Sequence, residues 1–273
     1  MSDASVVVVT YNALPWLEQC LDSVRGNETV VVDHGSSDGT VALARERFPE
    51  VVVVEEENRG LAFGWNTGVA RTSGRYILLL NADAWMDAGA LDALVAFADA
   101  HPRAAVVGPR LRNPDGTLQR SVRGYPTLWR IATEYLFLRK LAPGTHAFNA
   151  FYAGGFAHDA PREVEWIMGA VWLVRREAID DVGPADDGFF LFSEETDWAY
   201  RFRRAGWEVW FAPVAGATHV YGGSHGGRML AENVKSQLRF LTKHRGPAYA
   251  RAARWILLLG LLLRRKLDVV RAL

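Results

Sequence analysis

Residues 75–83 read RYILLLNAD, an apolar run that ends in one amide and one acid. A strand so uniformly apolar is typical of a parallel sheet, in which both faces of each strand are buried. An ionised carboxylate at the end of such a strand needs a partner, usually another charge or a metal ion. Asp83 is therefore either the start of a turn or part of a site.

The sequence around this run alternates between short β-branched runs and helical patterns. Three further strands are predicted, in SVVVVTYN (5–12), TVVVD (29–33) and EVVVV (50–54). Apolar spacing predicts helices over residues 14–24, 40–48, 61–70 and 88–100. This alternation predicts an α/β fold, a mainly parallel, Rossmann-like sheet with helices on both faces. Ligands of such sheets bind outside the carboxyl ends of the strands, where TYN, DHGSSDG and NAD lie here.

Composition indicates one large domain, or one domain plus a tail. The chain has 273 residues, 49% of them hydrophobic, which is enough for a sizeable core. Cys20 is the only cysteine, so no internal disulfide can form, and a small buried residue is the simplest interpretation. Because a strand begins by Ser5, we expect no secretory signal and a cytoplasmic protein.

Charge is distributed unevenly although the formal net charge is zero. Residues 228–273 hold 11 Lys or Arg against two acids, whereas the first 227 residues hold 20 basic and 29 acidic residues. We therefore expect a body over 1–227 and a basic helical tail over 228–273. Such a tail suits an anionic partner. Between them, residues 109–165 are rich in proline and glycine, which is typical of a lid or binding insert.

The dinucleotide fingerprint G-x-G-x-x-G does not follow the first strand, which argues against a dehydrogenase. Six motifs do occur, in the order VVVVTYN, VVDHGSSDGT, ENRGLAFGWNTGV, ILLLNAD, MGAVWLVRREA and FFLFSEETDWAYRFRRAGW. In that order the chain resembles inverting family 2 glycosyltransferases with the GT-A fold, and its NRG and N-x-D motifs resemble the bacterial rhamnosyltransferase branch. The likeness runs from about residue 5 to about residue 225. It implies a nucleotide-binding half over about 1–108 and an acceptor-binding half over about 109–227.

The resemblance implies a set of residues that bind the nucleotide sugar. They are Thr10, Tyr11, Asn12, Asp33, His34, Arg59, Gly60, Asn66, Asn81, Ala82 and Asp83. For Asn12 a helix-capping turn is the alternative, and for Arg59 it is solvent exposure. His34 departs from the acid or amide usual at its position, which leaves uracil and thymine open. The glycines Gly60, Gly64 and Gly68 lie four apart, so a neighbour or a ligand can approach that helix face closely.

The resemblance also implies a divalent metal ion, Mg²⁺ or Mn²⁺, at the N-x-D motif. Breaking the bond between sugar and diphosphate develops negative charge, which a cation held by a carboxylate stabilises. Asp83 is the expected metal ligand, with His219 as a second ligand; Asn81 lacks the charge that a D-x-D motif would have there. Ser224, His225 and Arg228 are a suggested lid over the phosphates.

Acids at the start of a predicted helix, Glu194, Glu195 and Asp197, are the candidate catalytic residues. Acids favour helix N-termini on electrostatic grounds alone. The family, however, has an acidic motif here whose second acid is commonly the base, which implies Glu195, with Glu194 as the fallback. Asp197 is expected to bind the acceptor and to pair with Arg201. Trp166 and Gly169 match the acceptor-side strand, although core packing competes for Trp166.

The tail contains WILLLGLLL (255–263), which is too short to span a membrane. With its flanking arginines it predicts amphipathic C-terminal helices lying on an anionic membrane surface, peripheral on the inner face of the cell membrane. Packing on the body or a homodimer contact is the alternative. The resemblance thus implies transfer of L-rhamnose from dTDP-rhamnose to a polyprenyl-diphosphate-linked glycan in cell-envelope synthesis, without a nucleic-acid partner. A UDP-sugar transferase, an inactive nucleotide-binding protein and a nucleotidyltransferase are the other hypotheses.

Overall fold

The computed structural model describes residues 3–220 and 229–273. Strands and helices alternate through its first hundred residues. The strands in the described part are β1 (Ala4–Thr10), β2 (Thr29–Asp33), β3 (Val52–Glu55), β4 (Tyr76–Asn81), β5 (Ala84–Met86), β6 (Ala104–Arg112), β7 (Leu118–Gln119), β8 (Val122–Arg123), β9 (Arg162–Glu163), β10 (Trp166–Ile167), β11 (Val171–Arg175) and β12 (Glu208–His219). The helices are α1 (Leu14–Asp22), α2 (Thr40–Arg47), α3 (Leu61–Val69), α4 (Ala90–Ala100), α5 (Leu128–Tyr135), α6 (His146–Asn149), α7 (Arg176–Val182), α8 (Glu194–Arg204), α9 (Leu230–Arg245), α10 (Pro247–Leu263) and α11 (Leu267–Ala272), with 3₁₀ turns at Leu138–Lys140 and Ala150–Tyr152.

The central sheet has the strand order β3-β2-β1-β4-β11-β6-β12-β5. Strands β1 to β4 are mutually parallel, as the strand–helix alternation predicts, and β6 is parallel to β12. Strand β11 lies antiparallel between β4 and β6 and joins the two halves. The predicted α/β class with a mostly parallel sheet is thus confirmed, and the antiparallel strands are additions of the second half.

Strand β6 was not predicted because it contains Pro109. Proline cannot donate to a sheet ladder and is confined to edges and bulges. Here the register of β12 shifts between Phe211, opposite Gly108, and Gly216, opposite Arg110. Pro109 therefore lies where the ladder is interrupted, and the strand continues past it.

Hydrophobic cores lie on both faces of the sheet. Successive side chains of a strand point to opposite faces, so Val7 belongs to one core cluster and Val6 and Val8 to the other. Helices α3 and α8 pack on the first face, and α1 and α4 on the second. Cys20 is fully buried among the second set, as expected, and burial raises the pKa of its thiol.

The glycine stripe of α3 serves packing on a neighbouring strand. A Cβ at Gly68 would lie 2.3 Å from Val7 Cγ1, and one at Gly64 would lie 2.8 Å from Val9 Cγ1. Gly60 precedes the helix, with φ of 102°. The sequence left open whether a neighbouring element or a ligand approaches these glycines. At Gly64 and Gly68, side chains of β1 make the close approach.

The basic tail packs into the body. Helices α9 and α10 contribute Phe240, Leu241, Ala253, Leu257 and Leu261 to the core cluster that also holds α3 and α8. The tail therefore differs from the body in its charge, but the two share one hydrophobic core. In the described residues, no helix is both long and apolar enough to cross a membrane.

Candidate active site

A cavity of about 940 Å³ opens at the carboxyl ends of β1, β2 and β4. Nucleotide-half residues line one side of it, and the 109–165 segment, α8 and the tail line the others. Buried polar atoms without a hydrogen bond gather in this part of the described chain: Thr10 Oγ1, His34 Nε2, Trp166 Nε1, Glu194 Oε2, Glu195 Oε2 and Gln237 Oε1. Because folded proteins rarely leave such atoms unsatisfied, their concentration indicates a site for a polar ligand.

Asp83 and His219 meet at the floor of the cavity through strand pairing. Ala84 is opposite His219 in the β5–β12 ladder, and the Val220 amide donates to the Asp83 carbonyl at 2.9 Å. This register brings His219 Nε2 to 3.5 Å from Asp83 Oδ1, and both side chains are buried. The sequence placed these two residues 136 positions apart, and the fold brings them together as the predicted metal pair requires.

Gln119 fixes the tautomer of His219. The Gln119 side-chain amide donates to the His219 carbonyl at 3.1 Å, so its Oε1 is the atom that accepts from His219 Nδ1, at 2.7 Å. In a neutral imidazole with Nδ1–H, Nε2 is an acceptor, and it faces the Asp83 carboxylate. A carboxylate oxygen and an imidazole nitrogen directed at each other are a donor set that suits a divalent cation.

The described residues contain no cluster of three or more His, Cys, Asp or Glu side chains that could hold a metal ion. A cation at Asp83 and His219 would therefore complete its coordination with water and phosphate oxygens, as Mg²⁺ commonly does. The residues present thus fit a metal that binds together with a nucleotide diphosphate.

Glu194 and Glu195 begin α8; Glu194 is buried, and Glu195 is half-buried with its Oε2 shielded from solvent. The two residues before them, Phe192 and Ser193, both have φ of 67°, in the left-handed region that non-glycine residues rarely adopt. This turn directs the helix start at the cavity, and such strain is typical of functional sites.

Burial raises the pKa of both glutamates. The pKa of Glu195 is raised to about 7, against the opposing effect of backbone N–H groups at the helix start and of the Arg123 guanidinium. Burial and the neighbouring charge of Glu195 raise the pKa of Glu194 well above its usual range. A carboxyl group with a pKa close to neutral is suited to general base catalysis.

Asp197 lies away from the cavity. Its carboxylate accepts from Arg201 Nε at 2.9 Å and His244 Nε2 at 2.6 Å, and Lys243 Nζ is 2.8 Å away. These partners hold the pKa of Asp197 below its usual value despite burial. The predicted Arg201 pair is confirmed, but the carboxylate is also engaged by Lys243 and His244, which tie α8 to α9. We therefore do not keep Asp197 as an acceptor ligand.

Two expected nucleotide-binding residues, Asp33 and Asn12, are engaged in turns instead. The Asp33 carboxylate accepts from the amides of Gly35 and Ser36 at 3.0 and 2.8 Å, forming the turn after β2. Asn12 Oδ1 accepts from the Ser37 amide at 2.9 Å, which agrees with the capping alternative.

Asn66 exchanges two hydrogen bonds with the backbone of Ala185, at 2.9 and 3.0 Å, and does not line the cavity. Arg59 lies over the ring of Phe63, at 3.9 Å from its centroid. Asn12, Asp33, Arg59 and Asn66 are therefore omitted from the ligand contacts proposed below.

The remaining predicted nucleotide residues line the cavity. They are Thr10, Tyr11, His34, Gly60, Asn81, Ala82 and Asp83. The Tyr11 ring is 47% exposed, which leaves a face for stacking. Burial lowers the pKa of His34, so its ring is neutral near pH 7. A Cβ at Gly60 would lie 2.3 Å from the Phe190 carbonyl oxygen, so only glycine lets that cavity-lining loop approach.

Trp166 and Gly169 also line the cavity, next to the glutamates. The Trp166 indole is buried, yet its Nε1–H has no hydrogen bond, so core packing alone does not explain its orientation. A Cβ at Gly169 would lie 3.3 Å from Glu195 Cβ. The glycine therefore keeps space open beside Glu195.

Several lining residues were missed by the sequence analysis. Arg123 and Tyr152 come from the 109–165 segment, and Leu230, Asn233 and Gln237 come from α9. The last three are spaced three and four apart, so they share one helix face. That spacing could have predicted a shared helix face, but the sequence did not indicate that this face lines a cavity, because polar residues on a helix usually face solvent. The suggested lid residues Ser224, His225 and Arg228 lie outside the described residues.

A model of the family described as Glycosyl transferase family 2 matches residues 5–160. The N-acetylglucosaminyl-diphospho-decaprenol L-rhamnosyltransferase of Mycobacterium tuberculosis is 31% identical over 287 residues, covering 97% of this chain and 92% of that protein. The match therefore extends through the tail.

Solved structures share the fold at low identity. GalNAc-T7 with UDP, GalNAc and Mn²⁺ aligns with a TM-score of 0.62 at 17% identity, over 87% of this chain and 47% of that chain. The mannosyltransferase PcManGT from Pyrobaculum calidifontis, in complex with GDP-Man and Mn²⁺, aligns with a TM-score of 0.61 at 20% identity, over 94% and 72%. These are GT-A glycosyltransferases, and the fold predicted from the sequence is confirmed.

Proposed function

The chain belongs to glycosyltransferase family 2, and from that premise we propose that it transfers L-rhamnose from dTDP-rhamnose to a polyprenyl-diphosphate-linked glycan. The observation that carries the proposal is the convergence of two groups in one cavity: the Asp83–His219 pair at the strand ends and the glutamates Glu194 and Glu195 at the start of α8. The family and the rhamnosyltransferase relative supply the sugar and the acceptor class.

The residues divide into a donor side and an acceptor side. Tyr11, Thr10 and His34 surround the space for the base and ribose, and Asp83 with His219 adjoins the space for the diphosphate. A divalent cation bound by Asp83 and His219 would neutralise the charge that develops on the leaving diphosphate. Trp166 and Gly169 border the space for the acceptor sugar beside Glu195.

The chemical step is a single displacement with inversion. The acceptor hydroxyl oxygen bonds to C1 of the donor sugar while the bond from C1 to the phosphate oxygen breaks. Glu195 accepts the hydroxyl proton during this attack, and the bonding electrons leave with the nucleoside diphosphate. Ionised Glu195 is required, and a pKa of about 7 gives a large ionised fraction near neutral pH together with good basicity.

The outer face of α10 supports peripheral membrane association, which would bring the protein to a lipid-linked acceptor. Trp255, Leu259, Leu262 and Leu263 are exposed on this helix, while Leu257 and Leu261 pack inward. Arg254, Arg265 and Lys266 flank the exposed residues. An apolar helix face with a basic margin binds anionic lipid surfaces.

A panel of sugar nucleotides tests the proposal. Thermal unfolding is measured with dTDP-rhamnose, UDP-linked and GDP-linked sugars, each with and without Mn²⁺ or Mg²⁺. Transfer to farnesyl-diphospho-N-acetylglucosamine is then followed by mass spectrometry. We expect dTDP-rhamnose to give the largest metal-dependent stabilisation and a product heavier by one deoxyhexose.

Asp83→Asn is the matched control, because it removes the charge and keeps the shape. The variant should lose the metal-dependent part of the stabilisation. A larger response to a UDP-sugar would replace the proposed donor. Stabilisation without any turnover would instead favour an inactive nucleotide-binding protein.

A further inference from the structure

Two arginines flank a single carboxylate at the tail side of the cavity, and an aromatic ring links a third arginine to them. Glu134, near the end of α5, has Arg139 Nε at 3.0 Å from Oε2 and Arg264 Nη2 at 3.8 Å from Oε1. The ring of Tyr152 links a third arginine, because Arg139 Cζ and Arg123 Cζ lie 5.2 and 5.0 Å from its centroid. We call Arg123, Glu134, Arg139, Tyr152 and Arg264 the arginine cluster.

Positive charge exceeds negative charge by two among these five side chains. A matched ion pair nearby shows the contrast: Arg130 forms two hydrogen bonds of 2.6 Å with Glu165, and these lower the pKa of that carboxyl. The Arg130–Glu165 pair is therefore neutral overall and has a structural role. The arginine cluster has three guanidinium groups and one carboxylate, which lies beside Arg139 and Arg264, and guanidinium groups bind anions such as phosphate.

The arginine cluster is separate from the space proposed for the donor diphosphate. Its residues come from β8, the segment 134–152 and the end of α10, whereas the donor space is formed by the ends of β1, β4 and β12. Arg123, Glu134, Tyr152 and Arg264 nevertheless line the same cavity. The Arg123 guanidinium also acts electrostatically on Glu195, so the arginine cluster adjoins the candidate base.

Exposed apolar side chains adjoin the arginine cluster on its outer side. Arg264 Cζ lies 4.2 Å from the centroid of Phe137, which is itself exposed. Leu141 is 74% exposed just beyond, and Leu262 and Leu263 are exposed in the turn before Arg264. A ligand that matches this surface has a doubly charged head and an apolar chain.

We propose that Arg123, Arg139 and Arg264 bind the diphosphate of the acceptor, with its isoprenoid chain leaving over Phe137 and Leu141. The inference rests on the proposed function for the acceptor class. A diphosphate esterified at both ends carries one negative charge on each phosphate, and guanidinium groups bind such phosphate oxygens through paired hydrogen bonds. Its first sugar is attached directly to the diphosphate, so an anion at Arg123 places that sugar beside Glu195.

Isothermal titration calorimetry with three soluble probes tests the proposal in solution without membranes. The probes are farnesyl-diphospho-N-acetylglucosamine, its farnesyl-monophospho analogue and the neutral octyl glycoside of N-acetylglucosamine. The wild-type protein should bind the diphosphate most tightly, with an affinity that falls as salt increases. Arg139→Gln and Arg264→Gln should each weaken diphosphate binding about tenfold and leave the neutral glycoside unchanged.

Glu134→Gln is the decisive variant, because it increases the positive surplus and should tighten diphosphate binding. Loss of a merely structural ion pair would not improve affinity. Arg264 also donates to the carbonyls of Glu134 and Tyr135, so Arg139, which has no such backbone contact among the described residues, is the cleaner arginine to remove. Arg271→Gln, exposed on α11, controls for net charge.

Equal wild-type affinity for diphosphate and monophosphate, or no effect of Arg139→Gln and Glu134→Gln, would overturn the subsite. Failure of the proposed function has a different signature. In that case no donor supports transfer, yet calorimetry still reports the diphosphate preference and its response to the variants.

Discussion

Two adjacent glutamates at the start of α8 occupy one buried site, and their roles follow from their surroundings. Glu195 is next to the space that Gly169 keeps open and feels the charge of Arg123, whereas the charge of Glu195 helps to keep Glu194 protonated. Glu195 is thus the glutamate that ionises near neutral pH. The environment agrees with the choice made from the motif.

Glu195→Gln should reduce kcat by about 10²- to 10⁴-fold, the usual contribution of a general base, because the amide cannot accept the proton. Donor affinity should stay close to that of the wild type. Initial rates and calorimetric titration of dTDP-rhamnose measure the two quantities. Glu194→Gln is the matched control, and a Glu195→Gln enzyme with near-normal rates would assign the base to another residue.

Glu195→Gln should also stabilise the protein above neutral pH. Burial raises the pKa of Glu195 from 4.5 to about 7 on folding. The folded state therefore binds more protons than the unfolded state between these values, and stability falls as pH rises through this window. Glu195→Gln removes this loss, so its free energy of unfolding at pH 8 should exceed that of the wild type by about 3 kcal/mol.

Urea denaturation at pH 4.5 and pH 8 measures this difference, which should nearly vanish at the lower pH. A variant no more stable than the wild type at pH 8 would contradict the burial-driven shift. The outcome would link function and stability, because the proposed base would also make the fold less stable above neutral pH.

Gln119 is expected to control metal affinity through the tautomer of His219. Gln119→Ala removes the acceptor that holds the Nδ1 proton, so Nε2 is no longer fixed as the atom facing Asp83. Loss of such a supporting hydrogen bond commonly weakens metal binding about 10- to 100-fold. Calorimetric titration of Mn²⁺ in the presence of dTDP measures the metal affinity. Gln119→Glu, which retains an acceptor for the Nδ1 proton, is the control variant. Unchanged affinity in Gln119→Ala would remove Gln119 from the site.

Sequence motifs located the cavity but not every contact in it. Asp83, His34 and Glu195 follow predicted strands or begin a predicted helix, so their position at the sheet edge was readable. The hydrogen bonds of Asn66 and Asp197 could not be read from the motifs, because their partners, Ala185 and two residues of α9, are distant in sequence. A motif gives the type of side chain, whereas its hydrogen-bond partner depends on the tertiary fold.

At the scale of the elements, the packing of α10 on α5 connects the tail to the cavity. The run WILLLGLLL is apolar on both faces, so its inward residues Leu257 and Leu261 could not be distinguished by hydrophobicity from its outward ones. Gly260, the one small residue in the run, marks the place where α10 contacts α5. Gly260 lies against Tyr135, and the helix ends just before Arg264 of the arginine cluster.

Gly260→Ala should destabilise the protein by about 1–3 kcal/mol, the usual cost of overpacking. The added Cβ would lie 2.6 Å from Tyr135 Cβ and 2.7 Å from its carbonyl oxygen, so α10 has to shift. Because Arg264 bonds to that carbonyl, diphosphate binding should weaken as well. Urea denaturation and the calorimetric titration measure both effects. Gly144→Ala is the control, because nothing lies within 4 Å of its added Cβ, and equal effects of the two variants would contradict this contact.

At the scale of the whole molecule, the charge distribution and the exposed residues of α10 support the proposed membrane association. The basic residues of 228–273 and the outward side chains Trp255 and Leu259 belong to the tail, and the same tail supplies Arg264 to the cavity. A surface that docks on lipid would therefore lie close to the entrance for a lipid-linked acceptor. Truncation before α10 cannot test this, because Ala253, Leu257 and Leu261 belong to the core.

Substitution of Trp255 and Leu259 by Gln tests membrane binding while the core remains intact. Both side chains are exposed, so folding and turnover with a soluble acceptor should be unaffected. Loss of two buried apolar contacts with lipid should lower the partition coefficient on vesicles with anionic lipid on the order of a hundredfold. Co-sedimentation with phosphatidylglycerol vesicles measures it, and purely zwitterionic vesicles should bind the wild type weakly. Val52→Gln with Val214→Gln, exposed elsewhere on the body, is the matched control.

If the Trp255 and Leu259 variant binds vesicles normally but changes from dimer to monomer in light scattering, the face of α10 is a contact between two copies of the chain rather than a membrane surface.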